Sequence, residues 1–177
     1  MPGIDTSRSF IPLNIAVLTV SDTRTRATDT SGDVLAERLT AAGHKLTGRA
    51  VVSDDIQMIR NQLLAWIADE NIDVVISTGG TGLTARDVTP EAFKSVYDKE
   101  IDGFSAIFHR VSFEKIGTST IQSRATAGVS HGKYLFALPG SPGACKDGWD
   151  EILKNQLDNR FQPCNFVEIL PRLQEAS

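Results

Sequence analysis

Three stretches of the chain are apolar without alternation: Ile15-Ala16-Val17-Leu18-Thr19-Val20, Asp73-Val74-Val75-Ile76-Ser77 and Tyr134-Leu135-Phe136-Ala137-Leu138. Runs of this kind predict strands buried on both faces, as in a parallel sheet covered by helices. Residues 45–52 are more mixed and predict a strand nearer an edge. Between these runs the period lengthens. Ile56, Ile59, Leu63 and Ile67 form one stripe, and Phe104, Ile107, Phe108 and Val111 form another at helical spacing. A first helix over 31–42 ends at Gly43, a natural C′ residue. Thr89 can cap another helix starting at Pro90, where the missing N–H costs nothing. A last helix spans 144–157, with Trp149 and, on an earlier stripe, Trp66 as core residues. Strands alternating with helices predict the α/β class, here a three-layer αβα sandwich with a mostly parallel sheet. Residues 1–12 read as an N-terminal arm, 13–158 as one domain and 159–177 as an extended packing tail. Residues 117–130, rich in Ser, Thr and Gly, read as a structured loop with room for one helical turn.

Length and composition agree with that frame. At 177 residues, 41% hydrophobic and 23% charged, the chain matches a single globular domain able to build its own core. Lys and Arg number 18 against 22 Asp and Glu, a net charge of −4. This lacks the basic footprint of a nucleic-acid binder. No apolar run approaches a membrane span, and the first residues do not resemble a signal peptide, so a cytoplasmic location is expected. Cys145 and Cys164 are too far apart for a metal or redox motif, and their default state is two buried, reduced thiols. His44, His109 and His131 do not cluster and read as surface or packing residues.

Open α/β sheets bind ligands beyond the carboxyl ends of their strands. Each predicted strand here ends in small, hydroxyl or acidic residues: Ser21-Asp22-Thr23, Ser53-Asp54-Asp55, Thr78-Gly79-Gly80-Thr81-Gly82, and Pro139-Gly140-Ser141-Pro142-Gly143. The glycine run can turn backbone N–H groups toward an anion, or can simply supply positive φ in a turn. It matches neither the P-loop nor the dinucleotide fingerprint. Asp54 could cap the following helix, and Asp87 could pair with Arg86 or sit in a turn. Alternatively both reach one site and hold Mg²⁺, which takes one or two carboxylates together with phosphate oxygens. Gly140-Ser141-Pro142-Gly143 has the wrong glycine spacing for a nucleophile elbow and reads as a tight turn into the last helix. Ser123-Arg124 offers a hydroxyl beside a guanidinium fork suited to phosphate.

The run Thr78-Gly79-Gly80-Thr81-Gly82, followed by Arg86-Asp87-Val88-Thr89-Pro90-Glu91-Ala92, resembles the signature of the MoaB/Mog family of molybdenum cofactor biosynthesis proteins. The G domain of gephyrin is a eukaryotic relative. The resemblance extends through Thr19-Val20-Ser21-Asp22, Asp29-Thr30-Ser31-Gly32, Val52-Ser53-Asp54-Asp55, Ser123-Arg124 and Leu138-Pro139-Gly140. Residues 117–125 and Pro163-Cys164-Asn165-Phe166 look like the family's B branch. Active members adenylylate molybdopterin with Mg·ATP and release pyrophosphate. The resemblance therefore implies Mg²⁺ as cofactor and ATP and molybdopterin as substrates. It assigns Asp54 and Asp87 to metal binding and catalysis, residues 78–82 to ligand binding and Ser123 to substrate contact. Arg124, Ser21, Asp22, Pro139 and Gly140 would line the site. It also implies a homotrimer or homohexamer and transient contact with other proteins of the pathway. A non-catalytic molybdopterin-binding or scaffold protein of the same fold is the alternative.

Overall fold

The computed structural model describes residues 1–175. Its main sheet has six strands: β2 (Asn14–Val20), β3 (Lys45–Val52), β4 (Val74–Thr78), β5 (Lys99–Glu100), β6 (Thr126–Ser130) and β7 (Lys133–Leu138). They lie in the order β3-β2-β4-β7-β6-β5. The first four in that order run parallel, and β6 and β5 are antiparallel additions. A separate two-stranded ribbon pairs β1 (Gly3–Ile4) with β8 (Phe161–Gln162).

The apolar runs divide between two cores because successive strand side chains point to opposite faces. Ile15, Val17, Val74, Ile76, Tyr134 and Phe136 face one layer, which holds α1 (Thr30–Ala41), α4 (Asp102–Ile116) and α5 (Pro142–Gly148). Ala16, Leu18, Val20, Val75, Leu135 and Ala137 face the other, against α2 (Ile56–Ile67) and α3 (Thr89–Lys94). A fold with both sheet faces covered follows directly from runs without alternation. Among the described residues no helix is long and apolar enough to cross a membrane.

Several local expectations change. Residues 117–130 are not all loop: a 3₁₀ turn over Gly117–Gln122 leads into β6, which forms a hairpin with β7 through His131 (φ 47°) and Gly132 (φ 81°). The tail is not simply extended, since it contributes β8 and the short α7 (Phe166–Ile169). Asp55, not Asp54, caps α2 by accepting from Met58 N at 2.9 Å. Val88 occupies the N-cap of α3, placing Thr89 inside the helix. On the predicted stripes, Ile56 and Ile107 turn outward, because each lies at the margin of its helix's buried face. The last helix changes register through a π-helical segment at Trp149–Leu153 before ending as α6 (Lys154–Gln156). Trp149 is buried in one core and Trp66 packs half-buried on the other. Cys145 is buried, but Cys164 is exposed where the tail runs over the surface; both are free thiols.

Candidate active site

The strand order places a topological switch at β2 and β4. The chain leaves β2 through α1 to β3 on one side, then returns through α2 to β4 on the other. The crevice at such a switch is open because flanking helices depart in opposite directions. Two cavities occupy it, of about 240 Å³ and about 370 Å³. Gly80, Asp87 and Gly140 line both. A larger apolar cavity, about 410 Å³, lies between α4 and the C-terminal segments, with Glu151 as its sole titratable lining residue.

The glycine turn that separates the cavities cannot carry side chains. Gly79 has φ 102°, and a Cβ there would stand 2.2 Å from the Val20 carbonyl oxygen. Gly80 has φ 69°, and its Cβ would meet Thr89 Oγ1 at 2.3 Å and Asp54 Oδ1 at 3.1 Å. Thr89 Oγ1 donates to the Gly79 carbonyl at 2.8 Å, while Thr89 N donates to the Gly80 carbonyl at 3.0 Å. The hydroxyl expected to cap α3 thus fastens the glycine turn instead. Thr78 Oγ1 donates to the Pro139 carbonyl at 2.8 Å, tying β4 to the turn after β7.

Asp54 and Asp87 stand in different electrostatic settings. Burial raises the Asp54 carboxyl above its ordinary value, and the neighbouring Asp22 and Asp87 charges add to this. Partial burial also works against Asp87. There, however, Thr84 N and Oγ1 donate to Oδ2 at 2.9 and 2.7 Å and hold the pKa below its ordinary value. Asp22 is held low by Arg86, whose guanidinium reaches Oδ2 at 2.6 Å, and its Oδ1 accepts from Asp54 N at 3.0 Å. Arg86 therefore partners Asp22, and Asp87 sits in a turn.

Ser21, Thr78, Gly79, Gly80, Asp54, Asp87 and Gly140 line the smaller cavity. Thr81, Gly82, Ser123 and Pro139 line the larger one, again with Gly80, Asp87 and Gly140. The buried Ser123 Oγ has no hydrogen-bond partner among the described residues. Asp22 and Arg124 line neither cavity and act on residues that do. Sequence reasoning left out Thr19, Arg24, Asp29 and Ser31 in the smaller cavity and Ser119, Gln122 and Ser141 in the larger. Asp29 had a visible signal, an acidic residue opening a helix. It is 1% exposed, accepts from Thr19 Oγ1 at 2.7 Å and Gly32 N at 2.9 Å, and pairs with Arg49 at 3.0 Å.

Residues 16–159 match the family model described as "Probable molybdopterin binding domain". Molybdenum cofactor biosynthesis protein B of Escherichia coli (strain K12) is 49% identical over 160 residues, covering 90% of this chain and 94% of that protein. A crystal structure of a molybdenum cofactor biosynthesis protein B superposes with TM-score 0.85 at 38% identity, covering 94% of this chain and 98% of the other. The tungsten cofactor synthesizing protein MoaB of Pyrococcus furiosus gives TM-score 0.77 at 32% identity, with 93% and 98% covered. A family match across most of the chain, carried on the predicted fold, shows that the chain belongs to the MoaB/Mog family of molybdenum cofactor biosynthesis proteins.

Proposed function

We propose that the protein transfers AMP from ATP to the phosphate of molybdopterin. A pterin phosphate oxygen attacks the α-phosphorus, a new P–O–P linkage forms, the α–β P–O bond breaks and pyrophosphate leaves. The observation that carries this reading is the meeting of two cavities at Gly80, Asp87 and Gly140, with Asp54 facing the same glycine turn. Two ligands seated side by side there would have their phosphates at one point. Phosphoryl-type transfer needs positioning and charge neutralisation more than a covalent nucleophile. The lining suits that requirement. Neither cavity presents a histidine or cysteine, and Ser141 Oγ accepts from Ala144 N at 3.1 Å as the cap of α5.

The donor set fits Mg²⁺. Asp54 and Asp87 line one cavity beside the Gly79–Gly80 turn, and acidic oxygens there suit a hard divalent cation. The described residues contain no cage of three acidic, histidine or cysteine ligands, and Mg²⁺ bound alongside phosphates uses only one or two carboxylates. Asp54 and Asp87 would hold the ion, which when bound neutralises phosphate charge. Thr84 fixes the Asp87 carboxylate, Arg86 restrains Asp22, and the Gly79–Gly80 turn lets ligand phosphates approach the backbone. Release of pyrophosphate from Mg·ATP by the purified protein should require added molybdopterin. Pterin binding without pyrophosphate release would instead support a non-catalytic binding protein.

A further inference from the structure

Arg124 stands immediately after Ser123 and just before β6, where its guanidinium could have met a substrate phosphate. Its donors point elsewhere. Nε donates to the Gly82 carbonyl at 2.8 Å and Nη2 to the Asp87 carbonyl at 2.7 Å. Nη1 is paired with the Glu91 carboxylate, and the Arg124 backbone N donates to the Thr81 carbonyl at 2.9 Å. Little of the five-donor fork remains for an incoming ligand. Within the loop, Thr84 and Asp87 close a turn upon themselves, and Thr89 anchors only its base to Gly79 and Gly80. Arg124 reaches both sides of that turn, at residues 82 and 87, and Glu91 on α3 fixes the angle of the fork.

We propose that Arg124 is a positioning residue that sets where the Asp87 carboxylate stands, acting through the loop backbone. This rests on the adenylyl-transfer reading only for its kinetic consequence. The geometry has a physical effect of its own: a planar fork holding two carbonyls on opposite limbs of one turn fixes their separation. Glutamine cannot span both points, and the ammonium of lysine can satisfy one or the other but not as a rigid pair.

The test compares the parent with Arg124→Gln, Arg124→Lys and Glu91→Gln. Amide hydrogen exchange is followed across residues 81–88, and kcat and KM are measured with Mg·ATP and molybdopterin. Both Arg124 variants should exchange faster in that segment, with the rest of the sheet unchanged. Their kcat should fall about 10- to 100-fold, as misplacement by an ångström can do, while KM for ATP and pterin moves within about twofold. Glu91→Gln, which keeps the fork but loosens its anchor, should shift both readouts the same way by less, and it serves should the Arg124 variants fail to fold. Unchanged loop exchange in all variants, or a raised KM at unchanged kcat, overturns the proposal and makes Arg124 a substrate ligand or a bystander. If the parent itself shows no turnover, adenylyl transfer fails as a reading and the exchange data alone decide the role of Arg124.

Discussion

His44 shows how far a single side chain's surroundings set its chemistry. It is 5% exposed, its ring lies against Phe10 at 5.0 Å and Trp149 at 6.0 Å, and its Nδ1 accepts from Leu13 N at 3.1 Å. That acceptor requires a neutral ring. Burial lowers the pKa from 6.5 to about 4, despite the opposing pull of Asp158. Because the folded value lies below the unfolded one, the unfolded chain binds more protons between these two pH values. The stability linked to His44 is therefore complete above the unfolded pKa and is lost as pH falls toward the folded one, at up to about 1.4 kcal/mol per pH unit. Urea unfolding at about pH 7 and about pH 4.5 should show a smaller acid loss in His44→Gln than in the parent. Equal losses would place the acid sensitivity elsewhere. At the same scale, burial pushes the Cys145 thiol up to about 12, with Thr78 Oγ1 3.2 Å away.

Among the elements, β6 shows where pattern reading stops. Thr126-Ala127-Gly128-Val129-Ser130 has neither an apolar run nor a clear alternation, and it follows a stretch rich in Ser, Thr and Gly. Its place depends on tertiary partners: β7 on one side, and Tyr97 over Gly128, where a Cβ would stand 2.3 Å from the ring. The turn His131-Gly132, with both φ positive, was the available signal, since two-residue hairpins need such residues. Gly128→Ala should lower stability by about 1–3 kcal/mol through overpacking, read as a shift in the urea midpoint; a neutral substitution would mean that Tyr97 yields freely. By contrast β2, β4 and β7 were legible, because burial on both faces writes itself into the composition of nearly every position, and the end of α1 was marked by Gly43. The site was legible wherever it follows a strand end, as with Asp54 and the 78–82 run. Arg24, Ser119 and Gln122 enter it through loops whose approach no local pattern encodes, whereas Asp29 carried the signal of an acidic residue opening a helix.

For the whole molecule, the order β3-β2-β4-β7 makes one crevice rather than four separate strand ends, and it brings Ser21, Asp29, Asp54, Gly80, Asp87 and Gly140 together. The two carboxylates then differ through their surroundings: the Thr84 hydrogen bonds hold Asp87 below its ordinary pKa, and burial beside Asp22 and Asp87 raises Asp54 above its own. Asp87→Asn keeps the shape of the turn but removes the charge. Loss of one electrostatic contact to a reacting phosphoryl centre typically costs about 10²–10³ in rate. Stability should change little, because Asp87 lies in an exposed turn outside both cores. The decisive measurement follows ATP labelled at its α-phosphorus, incubated with Mg²⁺, molybdopterin and either the parent or Asp87→Asn at matched unfolding midpoints. Label should pass into the pterin with the parent and fall by about 10²-fold or more with the variant; label that never reaches the pterin, or reaches it equally with both proteins, would contradict adenylyl transfer at this site.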